Sequence, residues 1–147
     1  MQYDIPIYQV QLVRESSVTV ERNSILRPID AYNIAREHYK TLDREMFSVM
    51  MLDAKNKVIG INTVSVGSLS ASIVHPREVF KPCLLSNTAT VILLHNHPSG
   101  DPDPSQQDLE VTRRLVDAGN ILGITIKDHV ILGEDTHFSF REKGLMP

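Results

Sequence analysis

The stretch that most limits what this chain can become is an apolar run that ends in histidines. Thr90-Val91-Ile92-Leu93-Leu94 stops at turn chemistry, the signature of a buried strand. It runs straight into His95-Asn96-His97. Side chains alternate along a strand, so the two histidines point the same way about 7 Å apart, a gap one metal ion can bridge. Pro98 to Pro104 is too rich in Pro and Gly for regular structure. From Ser105 the pattern turns helical, with Leu109, Thr112, Leu115, Val116 and Gly119 at three- and four-residue spacing and Gly119 as the terminator. Ser105 then falls at the N-cap with Asp108 one turn inside. A helix start attracts anions, so a cation there needs carboxylates beside it, and Asp101, Asp103 and Asp108 are the candidates.

The remaining composition bounds the class. The 147 residues, 41% hydrophobic and 22% charged, suit one globular domain whose core needs neither a metal nor a disulfide. The net charge of −3, with no basic cluster longer than Arg113-Arg114, gives no support to nucleic-acid binding. A single cysteine, Cys83, leaves no internal disulfide. The first residues lack a basic start followed by an apolar stretch, and no run approaches the ~20 apolar residues of a membrane span. The expectation is a cytoplasmic protein with no membrane association.

Taken in order, residues 1–25 alternate in places (Ile5, Ile7, Val10, Leu12, then Val18, Val20), which predicts one or two edge strands. Pro28 opens a helix whose face is Ile29, Ala31, Ile34, Ala35, His38, Tyr39 and Leu42, ending near Thr41. Met46 to Leu52 and Val58 to Val66 are strands joined by the polar turn 53–57, with Glu45 at the entrance to the first. A loop follows at 67–70, then a helix from Pro76 to about Leu85 and a strand from Thr88 to Leu94. After the helix at 105–118 come a strand through Ile124–Leu132, a turn at 133–136 and a short strand from His137 to Phe140. Strand, helix, strand implies a crossover and at least one parallel pair. The fold class is α/β, a single mixed sheet flanked by helices.

Two histidines and an aspartate make three protein ligands and leave the fourth tetrahedral position to water, the arrangement of a catalytic zinc site. By chance, HxHx(7)SxxD would occur in about one shuffled chain in a thousand. The competing reading is an accidental HxH beside a capping box of Ser105 and Asp108.

The stretch resembles the JAMM (MPN+) metalloprotease signature, a glutamate followed later by HxHx(7)SxxD. Residues 28–147 resemble the catalytic domain of the RadC-like proteins through REMFSVMMLDAKNKVI, SASIVHPREVF, ATVILLHNHPSGDPDPSQQDLEVTRRL and DHVILG. The resemblance implies a cytidine-deaminase-like (JAB/MPN) fold and one zinc ion held by His95, His97 and Asp108. It implies that Glu45 is the general acid/base and that Ser105 holds the water or stabilises the oxyanion during amide hydrolysis. It also implies the short form of the family, without an N-terminal helix-hairpin-helix segment and without room for ubiquitin-gripping insertions. Residues 1–27 match nothing in that pattern and read as an extension of the same domain. Asp101 and Asp103 become loop residues, and Asn96, the odd member of the HxH pair, points away from the metal.

Other constellations carry less. His95-Asn96-His97 is not an HNH nuclease motif, whose residues are dispersed over a ββα finger. A zinc deaminase needs HxE and then PCxxC; His75-Pro76-Arg77 lacks the glutamate, and Ser86 stands where the second cysteine should be. His75 reads as a helix-entrance residue, His38 as a partly exposed helix residue, His137 as exposed and Cys83 as core. Asp128-His129 could be a second metal pair, but neighbours on a strand face opposite sides. Two functions follow: a zinc metallopeptidase or isopeptidase with a protein or peptide substrate, or an accessory module of DNA repair or a mobile element that binds protein or DNA.

Overall fold

The computed structural model describes residues 1–40, 42–67 and 74–147. Its elements are α1 (Pro28–Tyr39), β1 (Met46–Leu52), β2 (Val58–Val66), α2 (Pro76–Leu85), β3 (Thr90–Asn96), α3 (Gln106–Leu122), β4 (Thr125–Leu132) and β5 (His137–Ser139). The five strands form one mixed sheet in the order β2-β1-β3-β4-β5. This is the α/β architecture expected. The parallel pair is β3 with β4, joined by α3, while β1 runs antiparallel to both β2 and β3.

Alternation along the central strands divides the interior in two. Phe47, Val49 and Met51 of β1 and Val91 and Leu93 of β3 pack with Phe80 of α2 and Val111 and Leu115 of α3. Met46, Met50, Leu52, Ile92 and Leu94 face the other way, onto Ala31, Ile34, Ala35 and Tyr39 of α1. Both faces of β1 and β3 are buried, which is why these strands read as near-continuous apolar runs. The Tyr39 hydroxyl lies within hydrogen-bonding distance of the Met46 and Leu94 carbonyls (3.2 Å each) and Ser48 Oγ (3.0 Å), fastening the end of α1 to the strands beside the site.

Four expectations need correction. Among the described residues, 1–23 form no strand, and the expected edge strands reduce to one isolated bridge, Ser24 to Lys57. Their alternation is real, but Ile5, Ile7, Val10, Leu12 and Val18 are exposed, while Val20 packs against the core on the α1 side. β3 begins at Thr90, two residues late, and extends through His95 and Asn96. The third helix does not stop at Gly119: it continues to Leu122 and ends at Gly123, in the left-handed conformation (φ 73°). Gly119 is an interior residue where a Cβ would stand 2.4 Å from the Ile124 carbonyl and 3.2 Å from the Phe80 ring, so the glycine marks close packing and not a cap. The last strand ends at Ser139, one residue early. Of the expected loop at 67–70, residues 68–70 lie outside the described residues, as does Thr41.

Gly119 supports a prediction of sign. In an open helix Gly→Ala stabilises by ~1 kcal/mol. Here Gly119→Ala destabilises, by about 1–3 kcal/mol as overpacking does, measured as a lower urea midpoint.

Candidate metal centre

β3 carries two kinds of side chain to its end. His95 continues the Val91, Leu93 row toward α3, and Asn96 continues the Ile92, Leu94 row toward α1. His97 follows directly, its N–H donating to the Leu132 carbonyl (2.8 Å) so that the β3–β4 pairing extends past the strand. The two imidazoles lie edge to face with centroids 4.7 Å apart.

α3 meets them with its first turn. Asp108 is buried at 3% exposure; its Oδ2 accepts the Ser105 N–H (2.8 Å) while its own N–H donates to Ser105 Oγ (3.1 Å), a reciprocal capping box. The same carboxylate places Oδ1 3.3 Å from His95 Nδ1 and Oδ2 3.2 Å from His97 Nε2. Glu45 approaches the opposite edge of His95, its Oε1 4.0 Å from Nε2, with its side chain 34% exposed. Among the described residues, Glu45, His95 and His97 each offer a ligand atom and these atoms lie within 4.8 Å of one another, so the three could hold a metal ion. Asp108 contacts both histidines from the α3 side.

The donor set fits a cation. Both ring nitrogens of His95 are buried and neither makes a hydrogen bond. Burial drives its pKa down to about 4, outweighing the pull of Asp108, so at neutral pH it is an uncharged imidazole with a lone pair to give. His97 Nδ1 lies 2.8 Å from the Asp101 carbonyl, which can only accept, so Nδ1 is the donor and Nε2 is turned toward Asp108. A neutral His97 would then face a carboxylate oxygen lone pair to lone pair at 3.2 Å; the contact needs a proton or a cation. The hydrogen bond to Asp108 accordingly raises the His97 pKa against the effect of burial. Asp108 is held below the usual carboxylate range: burial would raise it, but His97, the Ser105 N–H and the other histidines prevail.

Two residues whose work the sequence did not reveal complete the surroundings. Asn96 points away from the cluster, as expected, and there it grips the chain on both sides of Glu45: Oδ1 accepts the Met46 N–H (2.6 Å) and Nδ2 donates to the Arg44 carbonyl (3.0 Å). The Glu45 carbonyl itself accepts from the Gly67 N–H (2.7 Å). The second is His129, which lies beneath His95 with ring centroids 6.2 Å apart, stacked on Phe140 at 4.6 Å. Thr112 Oγ1 donates to the Asp108 carbonyl (2.7 Å), so at the 2.6 Å contact with His129 Nδ1 the imidazole must be the donor. Its Nε2 is buried without a hydrogen bond, and burial holds its pKa well below the ordinary value.

A bulge explains why His129 was missed. Val91 pairs with Ile126 but Ile92 pairs with Asp128, so Lys127 is an extra residue that reverses the alternation of β4. Ile126 faces α2 and α3, and beyond the bulge His129 does too. Asp128 and His129 do diverge, as expected: Asp128 accepts from the His129 N–H (2.8 Å), Ser139 Oγ (2.6 Å) and the Arg141 N–H (3.0 Å), tying down β5. His75 caps α2, accepting the Arg77 N–H, Cys83 is buried in the core, and His38 is half-buried. His137 is half-buried where an exposed residue was expected, because it stacks on Tyr32 at 5.0 Å. Asp101 and Asp103 are exposed loop residues, as expected.

With this geometry in hand, comparison with known proteins is direct. Residues 25–145 match the family described as RadC-like JAB domain. The chain belongs to that family. It is 54% identical over 124 residues to a UPF0758 protein of Caldanaerobacter subterraneus subsp. tengcongensis, covering 84% of this chain and 53% of that protein. A UPF0758 protein of Desulfitobacterium hafniense is 50% identical over 131 residues (89% of this chain, 58% of that protein). One of Alkaliphilus oremlandii is 44% identical over 142 residues (95% and 61%). The RadC-like JAB chain thus spans a little over half the length of these relatives. No helix among its described residues is long and apolar enough to cross a membrane.

The Thr112 bridge yields a prediction for this RadC-like JAB domain. Thr112→Val keeps the shape and the helical bond to the Asp108 carbonyl, but removes that carbonyl's second hydrogen bond and leaves the buried His129 Nδ1–H without a partner, costing roughly 1–3 kcal/mol in urea denaturation.

Proposed function

We propose that this chain is a zinc-dependent hydrolase of peptide or isopeptide bonds acting on a protein or peptide substrate. The observation that carries the reading is His95, an uncharged imidazole with both nitrogens buried and without a hydrogen bond, set between the Glu45 and Asp108 carboxylates and beside His97. His95, His97 and Asp108 would hold the ion. Three protein ligands of this kind leave room for a water, which suits zinc in a catalytic role. When bound, zinc would polarise a substrate carbonyl and lower the pKa of a coordinated water toward ~7.

The remaining work falls to the chain's own groups. Glu45, the most exposed of the four donors, would take a proton from the attacking water and deliver it to the leaving amine. Ser105 uses its hydroxyl oxygen to accept the Asp108 N–H, which leaves its proton to donate to the carbonyl oxygen as charge develops there. Asn96, bonded to the peptide groups on either side of Glu45, would fix where that carboxylate projects.

Metal analysis and a peptide-library digest followed by mass spectrometry test this together. Wild type should carry a single zinc ion per chain and cleave a subset of peptides. Glu45→Gln should keep the zinc and lose cleavage by ~100-fold or more, whereas Asp108→Ala and His97→Ala should lose the zinc itself. Cleavage by Glu45→Gln at the wild-type rate would remove Glu45 from the mechanism. A wild-type protein without zinc, unchanged in stability by Asp108→Ala, would end the enzyme reading.

A further inference from the structure

Residues 1–19 are exposed throughout, yet the segment Ile5–Val13, IPIYQVQLV, holds no charged residue. Ile5, Ile7, Tyr8 and Val13 are 80–98% exposed, with Val10 and Tyr3 close behind. Those side chains amount to roughly 1,000 Å² of one arm's surface, well above the few hundred Å² that a contiguous apolar patch reaches on an ordinary monomer. The residue types are β-branched and aromatic, suited to a strand, and Pro6 confines such a strand to a sheet edge.

The same molecule offers an edge. β2 ends the sheet, and its nine residues contain neither a charge nor a proline, the usual devices that blunt an edge strand. Ile59 and Val66 are exposed along it. Pairing on this edge begins and then stops. The Val58 N–H donates to the Asn23 carbonyl (2.7 Å) and the Ile25 N–H to the Asn56 carbonyl (2.9 Å), an antiparallel start at Ser24 and Lys57. Upstream of Asn23 the chain leaves β2 for α1: Arg22 reaches Asp30 (3.8 Å), and residues 19–22 flank Asn33, Ile34 and Glu37. Since α1 packs on β3, β4 and β5, the arm is carried away from its own β2.

We propose that two copies of this chain associate by exchanging arms, residues 3–13 of each adding as an outer strand to the β2 edge of the other. A reciprocal exchange uses one patch twice, closes as a two-fold dimer and leaves no growing end. Burying half of each arm against an equal area of the receiving edge gives about 2,000 Å², within the range of stable dimers. The inference does not depend on the hydrolase reading.

Sedimentation equilibrium on the full chain tests it, with zinc content recorded separately. The expected species is a dimer of twice 16.5 kDa. Ile7→Lys with Val10→Lys should give a monomer, as should Ile59→Lys with Val66→Lys; all four side chains are exposed, so circular dichroism should remain that of the folded domain. A synthetic peptide of residues 3–13 added to the arm variant should bind one per chain and add β signal, a measurement that stands even if the edge variant misfolds. A monomeric wild type, a dimer indifferent to the arm variant, or a folded arm variant that ignores the peptide would each overturn the proposal.

Discussion

Three histidine and aspartate side chains, His95, Asp108 and His129, are buried beside an apolar layer rich in Phe, Val, Leu and Ile, and the local structure is arranged around that burden. An unpaired charge in such a place is costly, so the groups must be neutral, hydrogen-bonded or neutralised by a partner. Burial keeps His95 and His129 uncharged. Asp108 cannot avoid its charge as readily, and it sits where a helix start supplies N–H groups and two imidazoles face it. Both nitrogens of His95 and Nε2 of His129 stay without a hydrogen bond, and for the His95 pair, turned toward Asp108 and Glu45, a cation is the natural complement.

The end of β3 distributes roles by parity. Odd residues go to the donor cluster and the even one, Asn96, goes to the chain that presents Glu45. A carboxylate at the mouth of the cluster, half-exposed and thus at risk of wandering, is held through the chain around it: Asn96 bonds the Arg44 carbonyl and the Met46 N–H, and the Glu45 carbonyl accepts from the Gly67 N–H. Tyr39 secures the same region from α1. Rigid support of this kind matters because a general acid/base acts only within hydrogen-bond reach of the group it serves.

The sequence disclosed elements whose periodicity is strong and whose ends carry punctuation: β1, β2 and α2 fall at the expected bounds, since Pro76 and the polar turn at 53–57 are unambiguous. His95 and His97 were legible because spacing on a strand fixes direction, and Asp108 was one of three carboxylates near a helix start; Glu45, and Asp108 among the three, were singled out by the resemblance to the RadC-like proteins. Two kinds of information were hidden. Gly119 was read as a stop because a glycine permits both a cap and a tight crossing, and only the neighbouring Ile124 and Phe80 decide between them. The arm at 3–13 alternates like a strand, but alternation says what a segment can pair with chemically and not whether its partner lies in the same chain.

Lys127 shows a different kind of encoding. Its own side chain reaches Asn56, far from the donor cluster, yet its exclusion from the ladder decides that His129 and not Asp128 turns toward His95. The direction of the buried ring therefore depends on one residue being set aside between two pairings, Val91 with Ile126 and Ile92 with Asp128. Were the ladder to run on without the bulge, Lys127 would stand opposite Ile92 and Asp128 opposite Leu93, and a carboxylate would replace the imidazole beside His95 with no change to any residue of the cluster. Deleting Lys127 would leave His129 opposite Leu93 and still turned toward the cluster, so the ladder keeps the ring in place by setting this one residue aside.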